Sequence, residues 1–299
     1  MMSCVKFWAQ SKCRANFIGG KIIMLTDKEK FLFDLHGFIL IKNAISQDNI
    51  QRMLEVCDQW HKLPESELPS PLKSYWDSTV KSTDARTIVN PHYGDEVFQD
   101  LALNPQIMRF VLALTLNSPQ LRDIALTRNH QDSNDIPFHG GVVDFPGIPR
   151  GLHHPACTYQ ATDNAIFANF LNAAVPLVDV PEGTGFVCIP GSHKTIFKRP
   201  HDIGIYDDAP TVVNVCPKAG DILLFTESLV HGARKWTADY PRRTAFVRYS
   251  TSYASWSMGH APIEAHKDKI SDDIYELQQM QGFQQRKKVV DRLLAEISP

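Results

Sequence analysis

Two groups of residues in this 299-residue chain have the types and spacing to hold a metal and a small acid. One is His231, which ends the apolar stretch beginning DILLFT, followed by Arg242 and Arg243 at the head of a second apolar run, RRTAFVRYS. An imidazole offers a metal a neutral nitrogen, and a guanidinium fork on the next strand can grip the carboxylate of an acid bound beside it. The other group lies upstream in NHQDSNDIPFHGGVVD, which supplies His130, Asp132, His139 and Asp144, with His153 and His154 further on. Two imidazoles and a carboxylate on one face of a metal leave positions open for a co-substrate and dioxygen, the arrangement of non-haem Fe(II) oxygenases. Zinc accepts the same histidines. The arginine favours iron, because it has a use where a dicarboxylate must be held by its far end.

The elements that would position these residues change character along the chain. Thr26 or Asp27 caps a first helix, DKEKFLFDLHG, closed by Gly37, and HGFILIKN reads as a short strand. From Ser46, the spacing of Ile50, Met53, Leu54 and Cys57 predicts an amphipathic helix, ended by the proline-rich loop 64–71. Residues 97–116 read as a helix in two pieces, with Pro105 near the start of the second. Thereafter come short apolar stretches rich in β-branched and aromatic residues: IALTR, AIFANFLNAAV, GFVCIPGS, TVVNV, DILLFT and TAFVRYS. No helix-length segment separates them, so antiparallel strands in a sandwich or barrel, with the early helices on one face, fit better than a doubly wound sheet. The tail from Ser271 to Leu294 reads as a polar helix, with Tyr275, Met280, Phe283, Val290 and Leu294 as contact residues.

Composition sets the outer limits. The chain carries 31 basic and 33 acidic residues, so it advertises no field that would recruit nucleic acid or an anionic membrane. No apolar run approaches the length of a bilayer span. The six cysteines never fall in CxxC spacing, which argues for free thiols in a reducing, intracellular compartment. Residues 1–25 are basic and acid-poor; an organelle-targeting segment, a disordered leader and a start at Met24 all fit them. Without such targeting the expected location is cytoplasmic. The rest, 26–299, reads as one domain: helical over 26–120, a β core over 121–255 and a terminal helix over 270–296. Neither Gly183–Gly185 nor Ser192 completes a phosphate loop or a nucleophile elbow. Lys194, Lys198, Arg199 and His201 read as a solvated loop, and as the place where an anionic substrate would rest its charge.

Three segments, VDVPEGTGFVCIPGSHK, AGDILLFTESLVHGARKW and PRRTAFVRYS, resemble the phytanoyl-CoA dioxygenase family of iron- and 2-oxoglutarate-dependent oxygenases, over about Ile124 to Tyr253. The resemblance implies a mainly β fold, a double-stranded β-helix or jelly-roll barrel of cupin type with N-terminal helices packed on one face. It implies Fe(II), 2-oxoglutarate and O2 as cofactors, and hydroxylation of a small molecule with release of succinate and CO2. His231 matches the distal iron ligand. Eleven residues on, Arg242 matches the 2-oxoglutarate clamp, sharing an inward face with Thr244 and Arg248, the latter a second anion contact. For the proximal ligand, His130-Gln131-Asp132 is a literal HxD, but the family inserts a loop before its HxD, which favours His139. There the sequence departs from the family, with Gly141 where the carboxylate belongs; this matches a subgroup with HGG in place of HxD. Asp144 is the nearest substitute, and Asp132 or Glu227 folding back are the others. If no carboxylate closes the site, similar enzymes imply halogenation, and a catalytically silent binding barrel is the remaining alternative. Oligomeric state is not readable from the chain.

Overall fold

The computed structural model describes residues 17–18, 21–76, 85–131, 133–141, 157–163, 165–207, 211–253, 263–282 and 285–298. A short pair, β1 (Phe17–Ile18) and β2 (Lys21–Ile23), precedes α1 (Asp27–His36), β3 (Phe38–Ile41) and α2 (Gln47–Trp60). Then come β4 (Lys73–Trp76), β5 (Arg86–Val89), α3 (Val97–Ala102), α4 (Pro105–Leu114) and the long β6 (Pro119–Asn129). β7 (Ile136–His139), β8 (Tyr159–Thr162), β9 (Ala165–Ala168), β10 (Phe170–Pro176) and β11 (Gly185–Cys188) follow. The chain continues through β12 (Val213–Asn214), β13 (Ile222–Thr226), β14 (His231–Arg234) and β15 (Arg242–Thr251). It closes with α5 (Asp272–Gln278), α6 (Lys288–Glu296) and β16 (Ile297–Ser298). The tail expected as one helix is therefore two. Met280, in the break between them, is exposed; Tyr275 and Leu294 pack partly buried against the main core, where Val290 is joined by the fully or nearly buried Ile274, Leu277, Val289 and Leu293. Phe283 lies outside the described residues. No described helix is long and apolar enough to cross a membrane, and Cys57, Cys157, Cys188 and Cys216 carry free thiols.

The helix boundaries follow local chemistry. Thr26 accepts from the Glu29 N–H while the Glu29 carboxylate takes the Thr26 N–H, a capping box that starts α1. Gly37, at φ 77°, ends it in the left-handed conformation that glycine adopts without a Cβ clash. Pro105 occupies the first turn of α4, where its missing N–H costs nothing.

The architecture is mainly antiparallel β of jelly-roll type. A seven-stranded sheet has the order β3-β13-β10-β15-β6-β5-β4, and a four-stranded sheet the order β12-β11-β14-β7. Alternation along the strands sorts side chains onto two faces. On the outer face of the large sheet, Ile39, Ile41, Leu171, Val175, Leu224 and Val247 join the helices in the main core. On the inner face, Phe38, Ala174, Leu223 and Phe225 meet Phe186 and Cys188 of the small sheet, with Phe246 packed against them. The interior that holds the candidate site is thus lined by the alternate residues of strands whose other face anchors the helices.

One ion pair ties the N-terminal helix into that outer layer. Arg109 of α4 donates to both oxygens of Glu29, at 2.9 and 2.6 Å, with both side chains almost wholly buried. Burial alone would raise the Glu29 carboxyl, but the Arg109 bonds and charge, helped by Thr26, outweigh it and hold the group below its ordinary 4.5. A carboxylate with a depressed folded pKa stabilises fully above about pH 4.5, and its contribution is lost as pH falls through the lowered value. Glu29→Gln leaves the Arg109 charge buried without its partner and is expected to cost about 3–5 kcal/mol. Urea titrations across pH should show that deficit near neutrality and a shallower acid loss in the variant than in the wild type.

Candidate metal centre

The two sheets bring His139 and His231 face to face. His139 ends β7, His231 begins β14, and the two are directly paired across the small sheet. Their ring centroids are 4.2 Å apart. Just past the end of β13, the Leu229 N–H donates to the Thr226 carbonyl and closes a turn that returns Glu227 to His231. One ligand atom from each of His139, Glu227 and His231 lies within 4.8 Å of the others.

Each donor is oriented by a second bond. His139 Nδ1 lies 3.0 Å from the Pro137 carbonyl and His231 Nδ1 2.7 Å from the Leu229 carbonyl. A carbonyl only accepts, so both rings carry their proton on Nδ1 and leave the Nε2 lone pair free, the tautomer a metal requires. Burial lowers the His231 imidazole to about 4, against the pull of Glu227, so the ring is neutral near pH 7. Phe225 and Phe186 enclose it, with ring centroids 4.8 and 5.9 Å away. Asn172 of β10 donates to Glu227 Oε2 at 2.9 Å. Two imidazoles and one oriented carboxylate are a donor set that fits Fe(II), with room for further ligands.

The glycines after His139 have a steric reason. Gly140 has φ +78°, and a Cβ there would lie 2.6 Å from the Leu229 carbonyl and 2.7 Å from that of Glu227. Gly141, at φ +82°, would place a Cβ 3.0 Å from Val230 Cγ2. The strand end and the ligand-bearing turn are packed backbone to backbone.

The arginines divide by strand alternation. Arg243 turns to α2 and makes two bonds to Asp58, at 2.7 and 2.9 Å. Arg248, on the inner row, donates to Asp123 at 2.5 Å; burial pulls its pKa down, but that carboxylate more than offsets it. Arg242, on the same row with buried Thr244, has a buried Nε with no hydrogen-bond partner among the described residues. Desolvation lowers it to about 10, which leaves it cationic. The side chain is half-buried, and its buried, unpartnered Nε is costly to hold; a bound anion would offset that cost.

Among the described residues, the candidate group contains His139 rather than His130, whose N–H donates to Ser133 Oγ. Asp132, Asp144, His153 and His154 lie outside the described residues. Glu227, one of three carboxylates the sequence offered, is the one described beside the histidines. Asn172 was not singled out; its signal was a lone polar residue within the apolar strand FLNAAVP.

Residues 33–244 match the profile of the family described as phytanoyl-CoA dioxygenase (PhyH). The peroxisomal phytanoyl-CoA dioxygenase of Rattus norvegicus is 26% identical over 254 residues, covering 77% of this chain and 69% of that protein. Among solved structures, HygX from Streptomyces hygroscopicus with nickel, 2-oxoglutarate and hygromycin B bound superposes with a TM-score of 0.65 at 22% identity, covering 77% of this chain and 89% of that one. EctD from S. alaskensis with 2-oxoglutarate and 5-hydroxyectoine gives 0.55 at 19%, covering 81% and 80%. These two likenesses establish the shared fold.

Gly140→Ala tests the packing of the turn. The methyl must push away the Leu229 carbonyl that orients His231, so stability should fall by about 1–3 kcal/mol. Affinity for a divalent metal, read by calorimetry, should fall about tenfold or more.

Proposed function

The chain belongs to the phytanoyl-CoA dioxygenase family, and on that premise we propose that it hydroxylates a small organic molecule at a centre built from His139, His231 and Glu227. It is a non-haem Fe(II)- and 2-oxoglutarate-dependent dioxygenase, with iron, 2-oxoglutarate and O2 as cofactors. The observation that carries the ligand assignment is the convergence of those three side chains, with both Nδ1 atoms committed to backbone carbonyls. Bound Fe(II) would activate O2, the oxidant, one oxygen atom going to the substrate as its hydroxyl and the other to 2-oxoglutarate, which would leave as succinate and CO2.

The chain's own residues bind, orient and exclude. His139 and His231 bind through Nε2, and Asn172 holds the Glu227 carboxylate in position. The Arg242 fork takes the far carboxylate of 2-oxoglutarate, with Thr244 beside it on the inner row. Arg248 is already satisfied by Asp123, so it tunes the field near Glu227 instead of clamping the acid. Phe186 and Phe225 keep water from the inner side of His231. Neither histidine moves a proton in this account, since each Nδ1–H is held by a carbonyl. Glu227 also bears on the choice of chemistry. A halide-accepting centre needs a missing carboxylate, and Glu227 fills the place that Gly141 leaves without one.

The test is an anaerobic titration with Fe(II) and 2-oxoglutarate, following the weak visible charge-transfer band of the chelate. The band should form in the wild type, disappear in His139→Ala and His231→Ala, weaken strongly in Glu227→Ala and persist in Asp144→Ala. A band that survives Glu227→Ala but not Asp144→Ala would transfer the carboxylate role to Asp144, and no band in the wild type would overturn the proposal. Arg242→Gln should keep metal affinity while weakening 2-oxoglutarate about 10- to 100-fold, the worth of bonds to a charged group. Asn172→Ala should lower metal affinity about 10- to 100-fold, as loss of an outer-shell partner does.

A further inference from the structure

A cavity of about 320 Å³ lies beside the metal centre, its wall including Gly140, Gly141, Val230, Phe197, Arg199 and Ile203. The geometry points to this cavity as the pocket of a small anionic substrate, held by its acid group on Arg199 and with its reacting end over the Gly140–Gly141 backbone. The assignment as substrate rests on the oxygenase reading above.

Position comes first. Gly140 and Gly141 directly follow His139, and Val230 directly precedes His231, so the cavity wall includes a chain neighbour of each histidine. A side chain at 141 would start 3.0 Å from Val230 Cγ2, on the cavity wall. The glycine pair that removes one carboxylate therefore also leaves this part of the wall without side chains.

Charge comes second. No acidic residue lines the cavity among the described residues, whereas Lys198 and Arg199 both do. Arg199 is a fixed guanidinium. Its Nη1 donates to the carbonyls of Pro200, at 3.1 Å, and Ile203, at 2.5 Å. Its plane lies over the ring of Phe138, 5.5 Å from the centroid, and Phe138 immediately precedes His139. Those contacts use one nitrogen and one face, and no described residue bonds Nε or Nη2. The free edge is the two-donor fork that matches a carboxylate or phosphate. A pre-oriented fork loses less entropy on binding than a mobile lysine.

Size comes third. The volume is at the low end of the range of small-molecule pockets, roughly 300–1,000 Å³. It suits a compact acid whose apolar body packs on Ile203, Val230 and Phe197, the last of these 79% exposed and without a packing role elsewhere in the core. A peptide or a whole coenzyme thioester would not fit inside it.

The experiment uses the full chain, with hexanoate as probe and hexanamide as its neutral counterpart, measured by calorimetry. Hexanoate should bind the metal-free wild type at least tenfold more tightly than hexanamide. Arg199→Gln should weaken it at least tenfold, and Ile203→Trp, which fills the cavity without altering the guanidinium, should exclude it. Arg242→Gln should leave its affinity within twofold. In the Fe(II)–2-oxoglutarate form, hexanoate should also shift the charge-transfer band in the wild type and fail to do so in Arg199→Gln at the same concentration. Equal binding of hexanamide, indifference to Arg199→Gln, or loss in Arg242→Gln would overturn the inference. A normal band with Arg199-independent binding defeats this pocket alone. Arg199-dependent binding with no band in the wild type defeats it through the oxygenase reading.

Discussion

The Val230 peptide unit is the joint on which the centre depends. Its N–H donates to Ser192 Oγ at 2.8 Å, and its carbonyl accepts from the Ile189 N–H at 3.0 Å. The segment after β11 thus grips the turn after β13 from both sides, one residue before His231. At the other end of the turn, the Glu227 N–H donates to the Phe170 carbonyl and the Thr226 N–H to that of Gly37. A loop carrying two of the three candidate ligands, four residues apart, is held by three separate elements. A net hydrogen bond contributes only about 1 kcal/mol. The larger effect is geometric, since ligands fixed before metal arrives lose little entropy when it binds.

That joint reaches the helical layer through the same short segment. His193 Nε2 bonds the Asp34 carbonyl at 3.0 Å, Lys194 reaches the Asp34 carboxylate at 2.5 Å, and the Tyr159 hydroxyl donates to it at 2.7 Å. PGSHK is therefore a bracket between α1 and the ligand-bearing turn, which explains why the sequence pairs it with FTESLVHG. Gly37 completes the bracket, since the ring of His193 fills the space where its Cβ would stand. The N-terminal helices are part of what holds the centre in register. The Glu29–Arg109 pair, far from any ligand, fixes the helix from which that bracket hangs.

What was legible in the sequence follows from what a linear pattern encodes. Two-residue alternation separates Arg242 from Arg243, and the structure puts one on the inner row and the other against Asp58. Helix starts at Thr26, Ser46 and Pro105 are local events, readable from caps and from where proline is tolerated. The pairing of His139 with His231 is a register between strands distant in the chain, and no local signal carries it. It came into view only through the family resemblance. The carboxylate was harder still, because Asp132, Asp144 and Glu227 differ only in where the backbone turns. Asn172 carried only a weak signal, a lone polar residue in an apolar strand. Its alternation phase matches that of Ala174 on the inner core face, and only its bond to Glu227 distinguishes it from packing.

The glycine pair and Glu227 are two sides of one arrangement. For Glu227 to reach the histidines, the turn from Thr226 to His231 must lie against the end of β7, and it does so with its carbonyls within 2.7 Å of where a Gly140 Cβ would be. A side chain at 140 would lift the turn away and take both Glu227 and the Leu229 carbonyl with it. A carboxylate at 141 would need a left-handed backbone that L-residues adopt at a cost, and would begin against Val230. The backbone can therefore accept its acid from the β13–β14 turn or from the residue two after His139, but this packing does not accommodate both. HGG and the glutamate four residues before His231 belong together as one way of placing a single carboxylate beside the two histidines.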